Sequence, residues 1–165
     1  MQVKEYMCDW VNTIDQDHTI AEALKLMVDN RTNSLIVVDK ENKPKGVVSS
    51  HLLIKEIVPE YLKDNELTSQ FGAKGTLAKF AKKNKDKKIV DFMYTDFHAL
   101  DPDDNMIEAA TYVVDGARRV LPVVDKDGKL IGAITRTSIK IAMYDALFNN
   151  EEPSTNRACI SKHKK

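Results

Sequence analysis

Leu121-Pro122-Val123-Val124-Asp125-Lys126-Asp127-Gly128-Lys129-Leu130-Ile131-Gly132-Ala133-Ile134-Thr135 is the stretch that decides the fold. An apolar run closed by Asp125, a polar turn carrying Gly128 and a second apolar run predict a β-hairpin. The pattern also stands 86 residues earlier, where Leu35-Ile36-Val37-Val38-Asp39-Lys40 leads through a polar turn to Gly46-Val47-Val48-Ser49. Outward from the hairpins the match continues without a gap: Met7 falls on Met93, Asp15 on Asp101, and Glu22-Ala23 on Glu108-Ala109. Lys4 to Lys55 and Val90 to Ile141 share 14 identities in 52 positions, so the chain is a tandem duplication. Units of about 55 residues bury too little surface to be stable alone. The two are therefore expected to pack as a pseudo-symmetric pair, with any site in the cleft between them and occurring twice.

Each repeat reads β-α-β-β-α. In the first, Val11 to Ile14 is a short extended run, and Thr19-Ile20-Ala21-Glu22 is a capping box that satisfies backbone donors at a helix start. Ile20, Ala23, Leu24, Met27 and Val28 then recur at helical spacing. Leu35 to Asp39 and Lys45 to Ser49 form the hairpin, and a second helix runs from about Ser50 to Tyr61, interrupted near Pro59. The second copy has a strand at His98 to Leu100, a helix capped by Asn105 with Glu108 three residues on, strands at Val120 to Asp125 and Leu130 to Thr135, and a helix to about Phe148.

These patterns divide the chain into a first repeat at 2–61, a helical and basic linker at 62–88, a second repeat at 89–148 and a disordered tail at 149–165. In the linker, Leu67, Phe71, Leu77 and Phe80 predict helical pieces broken near Gly72 and Gly75, and Lys79 to Lys88 carries six lysines. Nothing aromatic beyond Phe80 interleaves with those lysines, so a solvated linker is expected rather than a nucleic-acid surface. Lys plus Arg and Asp plus Glu are both 25, so no net field steers the chain toward nucleic acid or an anionic membrane. The apolar runs are too short to span a bilayer and the N-terminal residues lack a signal-peptide pattern, which makes the cytoplasm the expected compartment. Cys8 and Cys159 stand in unrelated contexts, an arrangement read as neither a disulfide framework nor a metal site.

Doubled β-α-β-β-α units, each with an apolar-apolar-Val-Val-Asp strand and a Gly-x-x-Ser/Thr closing the returning strand, resemble a pair of cystathionine β-synthase (CBS) domains, the assembly called a Bateman module. The resemblance covers residues 2 to about 148, and the fold it implies is α+β, with two β-α-β-β-α CBS repeats packed pseudo-symmetrically. It implies a ligand sensor rather than an enzyme, with AMP, ADP, ATP or S-adenosylmethionine as possible ligands and no required cofactor. It also implies pairing into a homodimer.

The chemistry of the candidate site can be argued from the residues themselves. Thr135 closes a strand and opens a helix, where unpaired N–H groups and the helix dipole favour a phosphate, though Thr is also a preferred helix cap. Ser138 falls on the same first turn. In the Gly-x-x-Thr-x-x-Asp pattern of the family, the Thr or Ser approaches the phosphate and the Asp accepts hydrogen bonds from the ribose. Here the Asp position holds Ser138 in the second copy and Leu52, which cannot hydrogen-bond, in the first. By the same pattern each cleft takes base contacts from the other copy. The Thr135/Ser138 cleft, with Ala133 in its strand, would be completed by Val11, Asn12, Thr32 and Asn33, and Arg136 could supply charge. The Ser49 cleft, with Val47 in its strand, would be completed by Phe97, His98, Arg118 and Arg119. Asp15, Asp17, Asp101 and Asp103 recur before the helices and read as loop and capping residues. His18, His51 and His163 share no metal-ligand spacing, and Trp10 is a lone aromatic assigned to packing.

The expected function is thus a regulatory module. An adenosine-type ligand between the repeats would change their relative angle and alter a dimer surface read by an effector protein. The alternative is a structural or protein-interaction module that has lost ligand binding, suggested by Leu52 and Ser138. The apolar positions Leu52, Leu53, Ile57, Ile139, Ile141 and Met143 are the expected dimer surface.

Overall fold

The computed structural model describes residues 1–62, 75–114 and 119–148. The linker residues Leu67, Phe71 and Gly72, as well as Arg118, Cys159 and the expected tail, lie outside the described residues. The chain opens with a single helical turn, α1 (Val3–Tyr6), followed by β1 (Thr13–Asp15) and α2 (Ile20–Asp29). The first hairpin is β2 (Ser34–Val38) with β3 (Pro44–Ser49), and α3 (Ser50–Ile57) runs on from it to a 3-10 turn at Glu60–Leu62. In the linker α4 (Thr76–Asn84) forms, packing Phe80 and Ala81 on the first core and leaving its lysines exposed. A 3-10 turn at Ile89–Asp91 precedes α5 (Met106–Val114), β4 (Val120–Val124), β5 (Leu130–Thr135) and α6 (Arg136–Leu147).

The capping box at α2 forms as the sequence requires. The Thr19 N–H donates to Glu22 Oε2 at 2.7 Å and the Glu22 N–H donates to Thr19 Oγ1 at 3.4 Å. Both hairpins are antiparallel, with Gly46 opposite Val37 and Gly132 opposite Val123. The first sheet gains β1, parallel to β2 through Thr13 to Asp15. In the second copy the expected strand His98 to Leu100 shrinks to one bridge between Leu100 and Val123. The reason is a proline. In the first sheet Ile36 donates its N–H to the Asn12 carbonyl at 3.0 Å. The counterpart of Ile36 is Pro122, which has no N–H to give the counterpart of Asn12, His98.

Two cores form, and each is completed by the chain segment that leads into the other repeat. The first gathers Ile14, Ile20, Leu35, Val37, Val48, Leu53 and Ile57 around Ile89, which comes from the segment opening the second repeat. The second gathers Leu100, Met106, Leu121, Val123 and Ile134 around Val3 and Tyr6, from the segment opening the first. Main-chain bonds fix both arms. Val3 and Lys4 donate to the carbonyls of Asp104 and Pro102, while Ile20 and Ala21 donate to those of Lys87 and Lys85. A third cluster, Ile36, Val47, Val120, Leu130 and Ala133, lies where the repeats meet.

Tyr6 and Asp145 are both buried, and the Tyr6 hydroxyl donates to the Asp145 carboxylate. Burial, then the charge of Asp145, pushes the Tyr6 phenol up from its ordinary value. Leu53 and Ile57 are core residues, and Ile139 and Ile141 pack partly against the second core. Much of the expected dimer surface is therefore spent inside the protomer.

Candidate functional site

Ser49 and Thr135 occupy equivalent ends of β3 and β5, and each caps the helix that follows. Ser49 Oγ accepts the Leu52 N–H at 3.3 Å. Thr135 is bound more completely, because Ser138 answers it: Thr135 Oγ1 accepts the Ser138 N–H at 3.2 Å and Ser138 Oγ accepts the Thr135 N–H at 3.2 Å. The two hydroxyls lie 3.3 Å apart, and Ser138 has no exposed surface. Thr135 thus takes the capping role that the sequence set beside phosphate binding, and the Ser138 hydroxyl is used inside the fold.

Two residues before each cap, the exchanged arm joins the strand. Cys8 and Ala133 exchange both main-chain hydrogen bonds at 2.9 Å, and Val47 and Tyr94 do the same at 2.9 Å. Val11 and Phe97, a few residues further along each arm, pack against the cluster of Ile36, Val47, Val120, Leu130 and Ala133. Four of the expected ligand residues, Val11, Val47, Phe97 and Ala133, therefore meet at the junction of the repeats. Asn12 follows Val11 and gives its carbonyl to Ile36.

The remaining expected residues sort by repeat. Thr32 Oγ1 donates to the Ser34 carbonyl at 3.0 Å, shaping the turn into β2, and the Asn33 carbonyl accepts the Ser50 N–H at 3.0 Å. Asn33 thus stands beside Ser49 in its own repeat. Arg119 precedes Val120, which pairs with Thr135. It is exposed, as is Arg136 in the first turn of α6. Two exposed arginines therefore stand in the chain at the start of α6, where the dipole also favours an anion, whereas Asn33 and Ser50 leave the start of α3 neutral. Among the described residues no hydrogen bond links Arg119 with Ser49. His98 turns to its own repeat: its ring stacks on Tyr112 at 4.0 Å between centroids, and its Nε2 lies 3.7 Å from Glu108 Oε1. Among the described residues no group of three or more His, Cys, Asp or Glu could hold a metal ion.

Sequence reasoning missed the glycines that admit the arms. A β-carbon on Gly46 would lie 2.8 Å from Met93 Sδ, and one on Gly132 would lie 3.0 Å from both Met7 Sδ and the Cys8 carbonyl. The signal is in the sequence, since both glycine–methionine pairs recur at the same offset, but nothing local to either glycine says which segment crosses it.

The chain matches the CBS domain family over residues 3–59 and again over 89–145. It is 32% identical to the CBS domain-containing protein CBSX1, chloroplastic, of Arabidopsis thaliana over 127 residues, which are 73% of this chain and 54% of the plant protein. It is 25% identical over 140 residues to the glycine betaine/carnitine/choline transport ATP-binding protein OpuCA of Bacillus subtilis, or 85% of this chain and 30% of that one. The chain thus spans about half of one curated relative and under a third of the other. Among solved structures it is similar to CBSX2 of Arabidopsis thaliana, with a TM-score of 0.73 and 26% identity, covering 90% of this chain and 97% of that one. The structure of CBSX2 in complex with AMP matches with a TM-score of 0.65 and 28% identity, covering 88% and 98%.

Proposed function

The chain belongs to the CBS domain family, as a tandem pair of copies, and on that premise we propose that it is a regulatory module that binds an adenosine nucleotide between its repeats. The observation that carries the reading is the similarity to CBSX2, a protein of the same two-repeat build that takes AMP. The charge around α6 supports it: Arg119 and Arg136 stand where a phosphate would meet the helix N-terminus. The ligand would touch the inter-repeat cluster through Val11 and Phe97 and alter the angle between the repeats.

The signal would pass through a homodimer. Met143, Tyr144, Leu147 and Phe148 crowd the exposed end of α6, the last two at 73% and 63% exposure. A second copy covering these side chains would remove an apolar patch from water, and an effector protein would read the resulting face. No described helix is long and apolar enough to cross a membrane.

A second reading is an interaction module without ligand. It is favoured by Ser138, whose hydroxyl is buried in its cap, and by Leu52 at the equivalent position. Thermal unfolding with AMP, ADP, ATP and S-adenosylmethionine separates the two. A ligand that binds only the native state raises the midpoint, and AMP is expected to do so. A midpoint unmoved by all four selects the interaction module.

A further inference from the structure

The hairpin tips of the two repeats touch, and the contact is one-sided. Leu130 donates its N–H to the Asn42 carbonyl at 2.9 Å, and Asn42 Nδ2 donates to the Leu130 carbonyl at 3.1 Å. Asn42 makes both bonds from the left-handed backbone region, with φ at 62°, a conformation Asn tolerates better than most residues. The 86-residue repeat carries Asn42 onto Gly128 and Leu130 onto Pro44. Pro44 has no N–H for the Gly128 carbonyl, and Gly128 has no side chain with which to reach Pro44. Neither bond of the mirror contact can form.

Among the described residues, the other ties between the repeats are the two arms and the apolar cluster where the repeats meet. The arms are anchored at Ala133 and Val47, but only short irregular segments, 9–12 and 95–99, join them to their own repeats. The apolar cluster between the repeats is non-directional. We propose that the Asn42–Leu130 contact is the pivot about which the two repeats turn, one fastening that holds the hairpin tips together while the pseudo-symmetric side stays open. This deepens the ligand-sensing reading and rests on it for its biological use, since a ligand can shift only an angle that the fold leaves free.

The test uses the full chain with two sets of substitutions. Asn42→Gly keeps the left-handed backbone and the main-chain bond but removes the side-chain bond. Gly128→Asn with Pro44→Leu supplies the donors of the missing mirror contact. Two measurements read the result: amide exchange at Leu130, and the distance distribution between keto-amino-acid spin labels placed at the exposed positions Lys25 and Lys140, each with and without AMP. Asn42→Gly is expected to speed Leu130 exchange about five- to tenfold, the worth of one hydrogen bond, and to broaden the label distances without ligand. The double substitution should narrow those distances and suppress any shift caused by AMP. Leu130 exchange unchanged by Asn42→Gly, with the same distances in that variant, overturns the pivot, and the second outcome does so whether or not the double variant folds. Failure of AMP to bind any variant overturns the ligand-sensing reading instead, while the ligand-free measurements still decide the pivot.

Discussion

Met93 lies across Gly46, its sulfur 2.8 Å from where a β-carbon on that glycine would stand. The Tyr94 carbonyl closes the same space at 3.0 Å. Met7 and Cys8 repeat the arrangement over Gly132, so each repeat leaves a gap in its returning strand for the arm of the other.

Gly46→Ala and Gly132→Ala should therefore each push an arm outward. Overpacking of this kind costs about 1 to 3 kcal/mol, read as a lower urea midpoint. The Gly128 turn has open space around it, and its positive φ makes Gly128→Ala a test of backbone strain alone. Equal stability of wild type and Gly46→Ala would mean that the arm yields without cost.

Exchange of arms also predicts which fragments fold. Residues 1–62 contain the first repeat with the wrong arm, whereas residues 9–94 contain it with Ile89, Met93 and Tyr94, the arm that completes its core. The second fragment should show a cooperative thermal transition by circular dichroism and the first should not. Cooperative unfolding of 1–62 would sink the idea.

The buried pair Tyr6 and Asp145 should be sensitive to loss of one hydroxyl. Tyr6→Phe leaves a buried carboxylate short of a donor, at a cost of roughly 1 to 3 kcal/mol. The pH dependence has a definite sign. Because the Tyr6 phenol is raised in the fold, its contribution is full below the ordinary tyrosine value of about 10 and is lost as pH climbs through the folded value. Between pH 8 and pH 11 the gap between wild type and Tyr6→Phe in denaturant midpoint should shrink.

The cap of α2 gives an acid-side counterpart. The Thr19 backbone N–H holds the Glu22 carboxylate below its ordinary range. A depressed carboxylate stabilises above its unfolded value, about 4.3, and the contribution disappears as pH falls through the folded value. Glu22→Gln should weaken the protein at pH 7 and make little difference at pH 2. A gap that persisted in acid would assign the effect to packing.

At the candidate site, Arg119→Ala should lower affinity for ATP more than for adenosine and flatten the salt dependence of ATP binding, because screening acts on charge alone. Ser138→Asp retains an acceptor for the Thr135 N–H and adds a charged oxygen, whose hydrogen bonds are about twice as strong as neutral ones. Calorimetry should show tighter AMP binding to that variant. No gain in a folded variant would remove the ribose from the Thr135 cleft.

The duplication, both hairpins and the capped helices follow from sequence because each depends on neighbours a few residues away: Thr19 on Glu22, Asp125 on Gly128, Gly46 on its strand. Even the weakened first strand of the second repeat was written in Pro122, although its effect shows only once Ile36 is seen bonding Asn12. Which arm completes which core, the burial of Ser138 and Asp145, and the one-sided contact of Asn42 with Leu130 were decided by tertiary structure alone. Pairing between segments far apart in the chain, such as Cys8 with Ala133 and Val47 with Tyr94, leaves no periodic trace in either segment. A glycine or proline announces what its own backbone permits, and only the fold determines which chain arrives to use it.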